Sequence, residues 1–263
     1  MRVRLDLSYD GTEFSGWAVQ PGRRTVQGEL ESALRTVLRL PEVRLTVAGR
    51  TDAGVHATGQ VVHCDLPQLP PELIRRLGGA LPGDVRVHAA REVPGEFDAR
   101  FAALWRRYVY RIGDAPGGVQ PLRRRFVLAW PRPLDVPVMA QAAAALAGLH
   151  DFAAFCRRRA GATTVRTLTR VTVERDAAEV ICTVEADAFC HSMVRSLVGA
   201  LIAVGEGRRP ADWPPSLLDR DRRADDVPVA PAHGLTLVAV GYPPDAELAA
   251  RVATARARRG WAE

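Results

Sequence analysis

The sequence of 263 residues contains no lysine, so all 36 of its basic side chains are arginines. The formal net charge is +6 and the isoelectric point lies near 9.7. Arginine presents a planar fork of donors that grips a phosphate at two points and stacks on bases. A basic chain built in this way favours nucleic acid as its partner.

Long apolar runs are also missing. No stretch approaches the roughly 18 residues of a membrane-spanning helix, so no membrane partner is expected. From Met1 the sequence alternates charged and apolar residues, which is typical of a strand and not of a signal peptide. We therefore expect a cytoplasmic protein with reduced, mostly buried thiols. The four cysteines are Cys64, Cys156, Cys182 and Cys190.

Hydrophobic periodicity predicts the order β-α-β-β-α-β twice along the chain. The first three elements are a strand from Val3 to Tyr9, a helix with Thr25 as its N-cap and a strand over residues 43–48. Each repeat of this order is typical of a ferredoxin-like unit, so the fold class is α+β. We expect an N-terminal half over 1–104, a C-terminal half over 105–245 and an Arg-rich tail over 246–263. The second half includes an alanine-rich helix predicted over 136–149. Ligand sites tend to lie in a cleft between two such halves.

Polar side chains are concentrated in the stretch AGRTDAGVHATGQVVH, residues 48–63. Glycines bracket the Arg-Thr-Asp triplet and allow the backbone to approach a ligand closely. Arg50 and Asp52, two residues apart, can converge on one face. A surface turn with an incidental ion pair is the alternative interpretation. The number of polar groups between two core strands favours a functional loop. These groups are Arg50, Thr51, Asp52, His56, Thr58 and Gln60.

Metal ligands at the expected spacing are absent from the same region. His63 and Cys64 would point to opposite faces of a strand, and no pair of candidate ligands has a zinc-like partner pair elsewhere. We therefore predict no metal site. A nucleophilic role for Cys190 or Ser192 also lacks a recognisable signature.

Two further stretches combine arginines with aromatic or apolar residues. In FDARFAALWRRYVYRI, residues 97–112, the interleaving is typical of a surface that stacks bases, although a half-buried strand would also produce it. In EADAFCHSMVRSLVGAL, residues 185–201, a predicted strand leads into a helix whose first turns carry Arg195. An arginine there opposes the helix dipole. It is either solvated or paired with a carboxylate.

Taken together, these stretches resemble the TruA-type tRNA pseudouridine synthases over nearly the whole chain. The resemblance also includes LSYDGTEFSGW, TVQGELESAL, LPGDVRV, DARF followed by RRYVY, DFAAF, AFCHSMVRSLVG and PAHGLTLVAVGY. It departs at Ala18, where the family usually has glutamine, and at Ser192, where it often has an apolar residue or histidine. The catalytic motif around Asp52 is intact.

The resemblance implies a pseudouridine synthase fold, with two ferredoxin-like halves in one mainly antiparallel sheet and a central cleft. It implies a homodimer that needs no cofactor and that converts uridine to pseudouridine at positions 38, 39 and 40 of the tRNA anticodon stem-loop. Asp52 matches the catalytic aspartate, Tyr108 the aromatic residue against the target uracil, and Arg195 the basic residue paired with the aspartate. The remaining expected substrate-binding residues are Arg50, Thr51, His56 and Gln60.

The reaction breaks the N1–C1′ bond of uridine and rejoins the base through C5. Asp52 could attack C1′ or remove a proton from the sugar, and both roles need an ionised carboxylate, which Arg195 would favour. A non-catalytic RNA-binding protein with two ferredoxin-like modules would have no use for this carboxylate. A metal-dependent nuclease would need several. Candidate phosphate contacts are Arg23, Arg24, Arg106, Arg123 and Arg124.

Overall fold

The structure, a computed structural model, describes residues 1–157 and 163–256. It confirms the prediction of an α+β fold with a large, mainly antiparallel sheet. The chain separates into two compact units. The first contains residues 1–104 together with 237–256, and the second contains 105–236. The central cleft between two halves stays a prediction.

The first unit begins with the order β-α-β-β-α-β that periodicity predicts. Strand β1 lies between β3 and β4 and is antiparallel to both, with Leu5 opposite Val62 and Ala90. Helix α1 begins after Thr25, whose side chain accepts a hydrogen bond from the Gly28 N–H and so acts as the predicted N-cap. The elements are β1 (Arg2–Tyr9), α1 (Val26–Leu38), β2 (Thr46–Val47), β3 (His56–Asp65), α2 (Leu73–Ala80) and β4 (Val85–Val93).

The second unit contains the strand order β5-β9-β8-β7, with each neighbouring pair antiparallel. Its elements are β5 (Trp105–Gly113), β6 (Leu128–Ala129), α3 (Val136–Ala144), β7 (Gly148–Asp151), β8 (Val165–Asp176), β9 (Glu179–Ala186), α4 (Met193–Gly205) and α5 (Trp213–Ser216). Short strand β6 runs parallel to β5. Helix α4 is buried along most of its length. Even so, no helix in the described part of the chain is both long and apolar enough to cross a membrane.

The predicted helix over 136–149 is wrong in its second part. Helix α3 ends at Ala144, and Leu149 lies in strand β7, which pairs with β8. The helix cannot extend through Gly148, whose φ of +114° is incompatible with a right-handed helix and which begins β7. The glycine turns the chain back to the edge of the sheet.

The end of the chain belongs to the first unit, which changes the predicted halves of 105–245 and 246–263. This terminal segment contains residues 237–241 of strand β10 (Leu235–Gly241) and helix α6 (Leu248–Arg256). The Tyr242 hydroxyl donates to the Ala99 carbonyl at 2.7 Å, and Arg251 donates to the Ala103 carbonyl at 2.8 Å. These long-range bonds attach the segment to the end of the N-terminal half. Residues 257–263 of the predicted tail lie outside the described residues.

The cysteines divide into two pairs of different character. Cys64 and Cys182 are free and buried, as predicted, and burial raises the pKa of each thiol to about 12. Cys156 and Cys190 instead form a disulfide, which contradicts the prediction of four reduced thiols. The fold brings their segments together, because the Arg157 N–H donates to the His191 carbonyl and the two Cα atoms lie 5.7 Å apart.

Asp114 forms a buried ion pair that supports the second unit and predicts a pH-dependent stability. Its carboxylate accepts two hydrogen bonds from Arg175, at 2.7 and 2.8 Å, and one from the Leu134 N–H at 2.8 Å. The hydrogen bonds from Arg175 lower the pKa of Asp114. The ion pair therefore contributes its full stabilisation above the pKa of Asp114 in the unfolded chain, about 3.9. This stabilisation is lost as the pH falls through the pKa of Asp114 in the folded protein.

We expect Asp114→Asn to reduce the free energy of unfolding at pH 7 by about 1–2 kcal/mol. The figure is discounted for solvent screening because the Arg175 side chain is 40% exposed. Urea unfolding of both proteins between pH 7 and pH 3 measures the effect, and the difference should shrink below about pH 4. Asp176→Asn, at the exposed β8–β9 turn, is the matched control. A difference that stays constant with pH would contradict the assignment.

Candidate active site

The Asp52 loop connects β2 to β3 and is held in place by the segment that follows β1. The Trp17 N–H donates to the Thr51 carbonyl at 3.0 Å, and the Gly54 N–H donates to the Phe14 carbonyl at 3.3 Å. These two bonds lie on either side of Asp52. The backbone of the loop is therefore fixed before any substrate binds.

Two glycines make this close packing possible. Gly16 has a φ of +95°, and a Cβ atom built on it would lie 3.0 Å from the Thr51 carbonyl oxygen. A Cβ atom on Gly11 would overlap the Val55 carbonyl group. A side chain at either position would push the two segments apart. The Asp52 loop can therefore occupy its position only because both of these residues of LSYDGTEFSGW are glycines.

The triplet places its three side chains in different environments. Arg50 is exposed, Asp52 is half-buried, and Thr51 between them is buried. The Thr51 hydroxyl lies 2.8 Å from the Tyr9 hydroxyl. The loop therefore presents its two charged groups nearer to solvent and uses the threonine as an internal attachment.

Gln60 and His56, two of the expected substrate-binding residues, are buried and hydrogen-bonded to backbone groups of the first unit. Gln60 is fully buried, and its Nε2 donates to the Gly49 carbonyl at 2.9 Å and to the Tyr9 hydroxyl at 3.1 Å. His56 is 5% exposed, and its Nδ1 accepts a hydrogen bond from the Gly11 N–H at 3.0 Å. Both belong to the expected substrate-binding set, and their contact with substrate stays a prediction.

Tyr108 and Arg195 belong to the second unit. Tyr108 lies on β5 opposite Val184 and is buried, and its ring meets the Phe189 ring edge-to-face at 5.2 Å. Arg195 is half-buried in the first turn of α4, where its Nε donates to the Ala230 carbonyl at 2.7 Å. This carbonyl fixes the direction of the arginine side chain.

The candidate phosphate contacts divide into paired and exposed arginines. Arg24 donates to both oxygens of Asp84, and Arg123 donates to Glu179. Arg106 is 8% exposed and donates to the Asp187 carbonyl. The exposed members of the set are Arg23 and Arg124.

Within residues 1–157 and 163–256, no three His, Cys, Asp or Glu side chains are grouped as metal ligands.

Comparison with known protein families gives a match over most of the chain. A family model described as tRNA pseudouridine synthase matches residues 7–102 and 142–243. The chain belongs to the tRNA pseudouridine synthase family. The synthase is therefore an isomerase that acts on tRNA uridine, and not a non-catalytic RNA-binding protein or a nuclease. The matched ranges contain Asp52 and Arg195, and Tyr108 lies between them.

Curated relatives of the synthase cover nearly its whole length. The tRNA pseudouridine synthase A of Frankia casuarinae is 66% identical over 98% of this chain and 96% of the relative. Those of Streptomyces griseus and Mycobacterium leprae are 59% and 53% identical, over 97% of this chain and over 93% and 94% of the relatives. A solved H/ACA RNP bound to a substrate RNA aligns with 76% of this chain and 44% of its own at 14% identity. Its TM-score of 0.35 is too low to bear on function.

Proposed function

We propose that the synthase converts uridine to pseudouridine at positions 38, 39 and 40 of the tRNA anticodon stem-loop, as a cytoplasmic homodimer without a cofactor. The main support is the Asp52 loop, which holds a single half-buried carboxylate between two backbone hydrogen bonds to the preceding segment. Family membership supports the class of reaction. The resemblance to the family is the basis for the proposed tRNA positions and for the proposed homodimer.

The proposed chemistry needs no net addition of atoms. The N1–C1′ bond breaks, the uracil rotates, a C5–C1′ bond forms, and the C5 proton leaves while N1 regains a proton. Asp52 either attacks C1′ or removes a proton from the sugar. In both routes its carboxylate must be ionised, and a cationic partner such as Arg195 favours that form.

The other proposed residues hold the RNA. A uridine in a stem-loop has to leave its stack, which costs a few kcal/mol, and an aromatic face offsets part of that cost. Tyr108, whose ring is held by Phe189, would supply this face. Arg50 is exposed beside Asp52 and would bind the flipped nucleotide or its phosphate.

The test is tritium release from tRNA labelled at C5 of uridine. Release is expected from wild type and not from Asp52→Ala, and an excess of chelator should leave it unchanged. Anticodon stem-loops with uridine replaced by cytidine at position 38, 39 or 40 then locate the sites. Release that persists after all three replacements would overturn the proposed positions. Gel filtration at twice the chain mass would support the homodimer, and elution at the chain mass would contradict it.

The division of the arginines predicts different effects for two adjacent residues. We expect Arg23→Ala to reduce the slope of log Kd for tRNA against log salt by about 0.7–1, because one phosphate contact is lost. Its melting temperature should stay unchanged because Arg23 is exposed. Arg24→Ala should instead lower the melting temperature, because Arg24 pairs with Asp84 and Glu29. If the salt slope of Arg23→Ala is the same as that of wild type, Arg23 does not contact an RNA phosphate.

A further inference from the structure

Three buried polar side chains form a connected group beneath the Asp52 loop. Tyr9 comes from β1, Thr51 from the loop and Gln60 from β3, and they are 4%, 7% and 0% exposed. A buried polar group destabilises the fold unless it is hydrogen-bonded. Each of the three is bonded within the group, over sequence separations of 42 and 51 residues.

The orientation of the Gln60 amide follows from the backbone groups that it contacts. The Gly49 carbonyl can only accept, so Gln60 must turn its Nε2 towards it. The Gln60 Oε1 is correspondingly the acceptor for the Val61 N–H at 3.2 Å. These two bonds fix the orientation of the amide independently. The second hydrogen on Nε2 is then donated to the Tyr9 hydroxyl.

The Tyr9 oxygen accepts from Gln60 and also shares a hydrogen bond with the Thr51 Oγ1 at 2.8 Å, in which either hydroxyl can be the donor. Burial raises the pKa of Tyr9 to about 12, so its hydroxyl stays protonated at neutral pH. Thr51 is therefore attached to Tyr9 through its side chain, whichever hydroxyl donates. Its carbonyl also accepts from the Trp17 N–H. The residue directly before Asp52 is thus fixed through both its side chain and its backbone.

We propose that Tyr9 and Gln60 are positioning residues of the synthase, which orient Thr51 and, through it, the carboxylate of Asp52. The inference rests on the proposed catalytic role of Asp52. Neither side chain contacts substrate in this proposal. Their contribution is to hold the loop in one arrangement, and catalysis is sensitive to displacements of about 1 Å at the reacting group.

Tyr9→Phe removes only the hydroxyl and keeps the ring that packs against Trp17. We expect its kcat in tritium release to fall about 10- to 100-fold, with KM for tRNA within about threefold of wild type. Thr51→Val removes the same hydrogen bond from the other side and should lose a similar factor. Thr51→Ser, which keeps the hydroxyl, should restore most of kcat.

The double variant gives a readout that general loss of stability would not produce. Tyr9→Phe combined with Thr51→Val should be no slower than Tyr9→Phe alone, because the bond that Thr51→Val removes is already lost in that variant. Tyr242→Phe is the matched control, since its hydroxyl also donates within the first unit, to the Ala99 carbonyl. Its effect on kcat should be within about twofold and should add to that of Thr51→Val.

The outcomes separate this inference from the proposed function. If Tyr9→Phe and Thr51→Val fold and keep wild-type kcat while Asp52→Asn is inactive, the positioning proposal alone is overturned. If Asp52→Asn is active, the proposed catalytic role fails. Should Tyr9→Phe not fold, Thr51→Val against Thr51→Ser decides the question. Equal kcat for those two variants would overturn the proposal.

Discussion

Replacing Asp52 by asparagine is expected to lower kcat for pseudouridine formation by on the order of 10⁴-fold or more. The amide has nearly the same size as the carboxylate but carries no negative charge. It can neither attack C1′ nor remove a proton from the sugar, so both proposed routes stop. The backbone bonds around the loop do not involve the side chain, and the loop should keep its position.

Affinity for tRNA should change by only a few-fold in the same variant. A carboxylate makes no favourable contact with phosphate, and its removal from a basic protein costs no RNA contact. Single-turnover tritium release and filter binding measure the two quantities separately. Asp135→Asn is the control, because Asp135 caps helix α3 and asparagine is an equally good cap. Parallel losses of binding and turnover would make Asp52 a residue that positions RNA.

The second large effect is expected at Gly11, which carries no side chain and packs against the Val55 backbone. Gly11→Ala places a methyl group where the Val55 carbonyl lies, and neither backbone segment can yield without moving the Asp52 loop. The substitution should also weaken the bond from the Gly11 N–H to His56. We expect kcat to fall at least about 100-fold. The free energy of unfolding should fall by about 2–3 kcal/mol.

Gly78→Ala is the matched control for Gly11→Ala. Gly78 lies in helix α2 with open space around the added methyl group, and alanine favours a helix by up to about 1 kcal/mol. This variant should be as stable as wild type or more so, with unchanged kcat. Thermal melting and tritium release test both substitutions together. A Gly11→Ala protein with wild-type activity would show that the loop does not need its observed position.

Local signals in the sequence were sufficient for most elements of the fold. The alternation from Val3 to Tyr9 and the cap at Thr25 predicted β1 and the start of α1 correctly. The strand predicted over residues 43–48 is paired only at Thr46–Val47, because strand length depends on the neighbour and not on propensity. Strand β7 was missed because the apolar pattern of α3 continues past Gly148, whose positive φ the sequence does not reveal.

The sequence predicted where the functional loop lies, but not which side chains support it. The glycines and polar residues of the Arg-Thr-Asp stretch identified it without any structure. No such signal identified Tyr9, because a tyrosine at a buried position of an alternating strand needs no further explanation. The hydrogen bond from Gln60 to Tyr9 was not predicted, since nothing in the spacing reveals a partner 51 residues away. Pairings at that distance are decided by the register of β1 and β3.

The attachment of residues 237–256 to the first unit has a consequence for biosynthesis. When a ribosome has completed residue 104, the cluster around Phe97 and Ala99 still lacks Tyr242 and Leu248, which arrive more than 130 residues later. The Asp52 loop is made early, yet the unit that carries it closes only after residue 248 has been synthesised. A prematurely terminated chain is therefore left with an open apolar surface, the condition that chaperones and proteases detect.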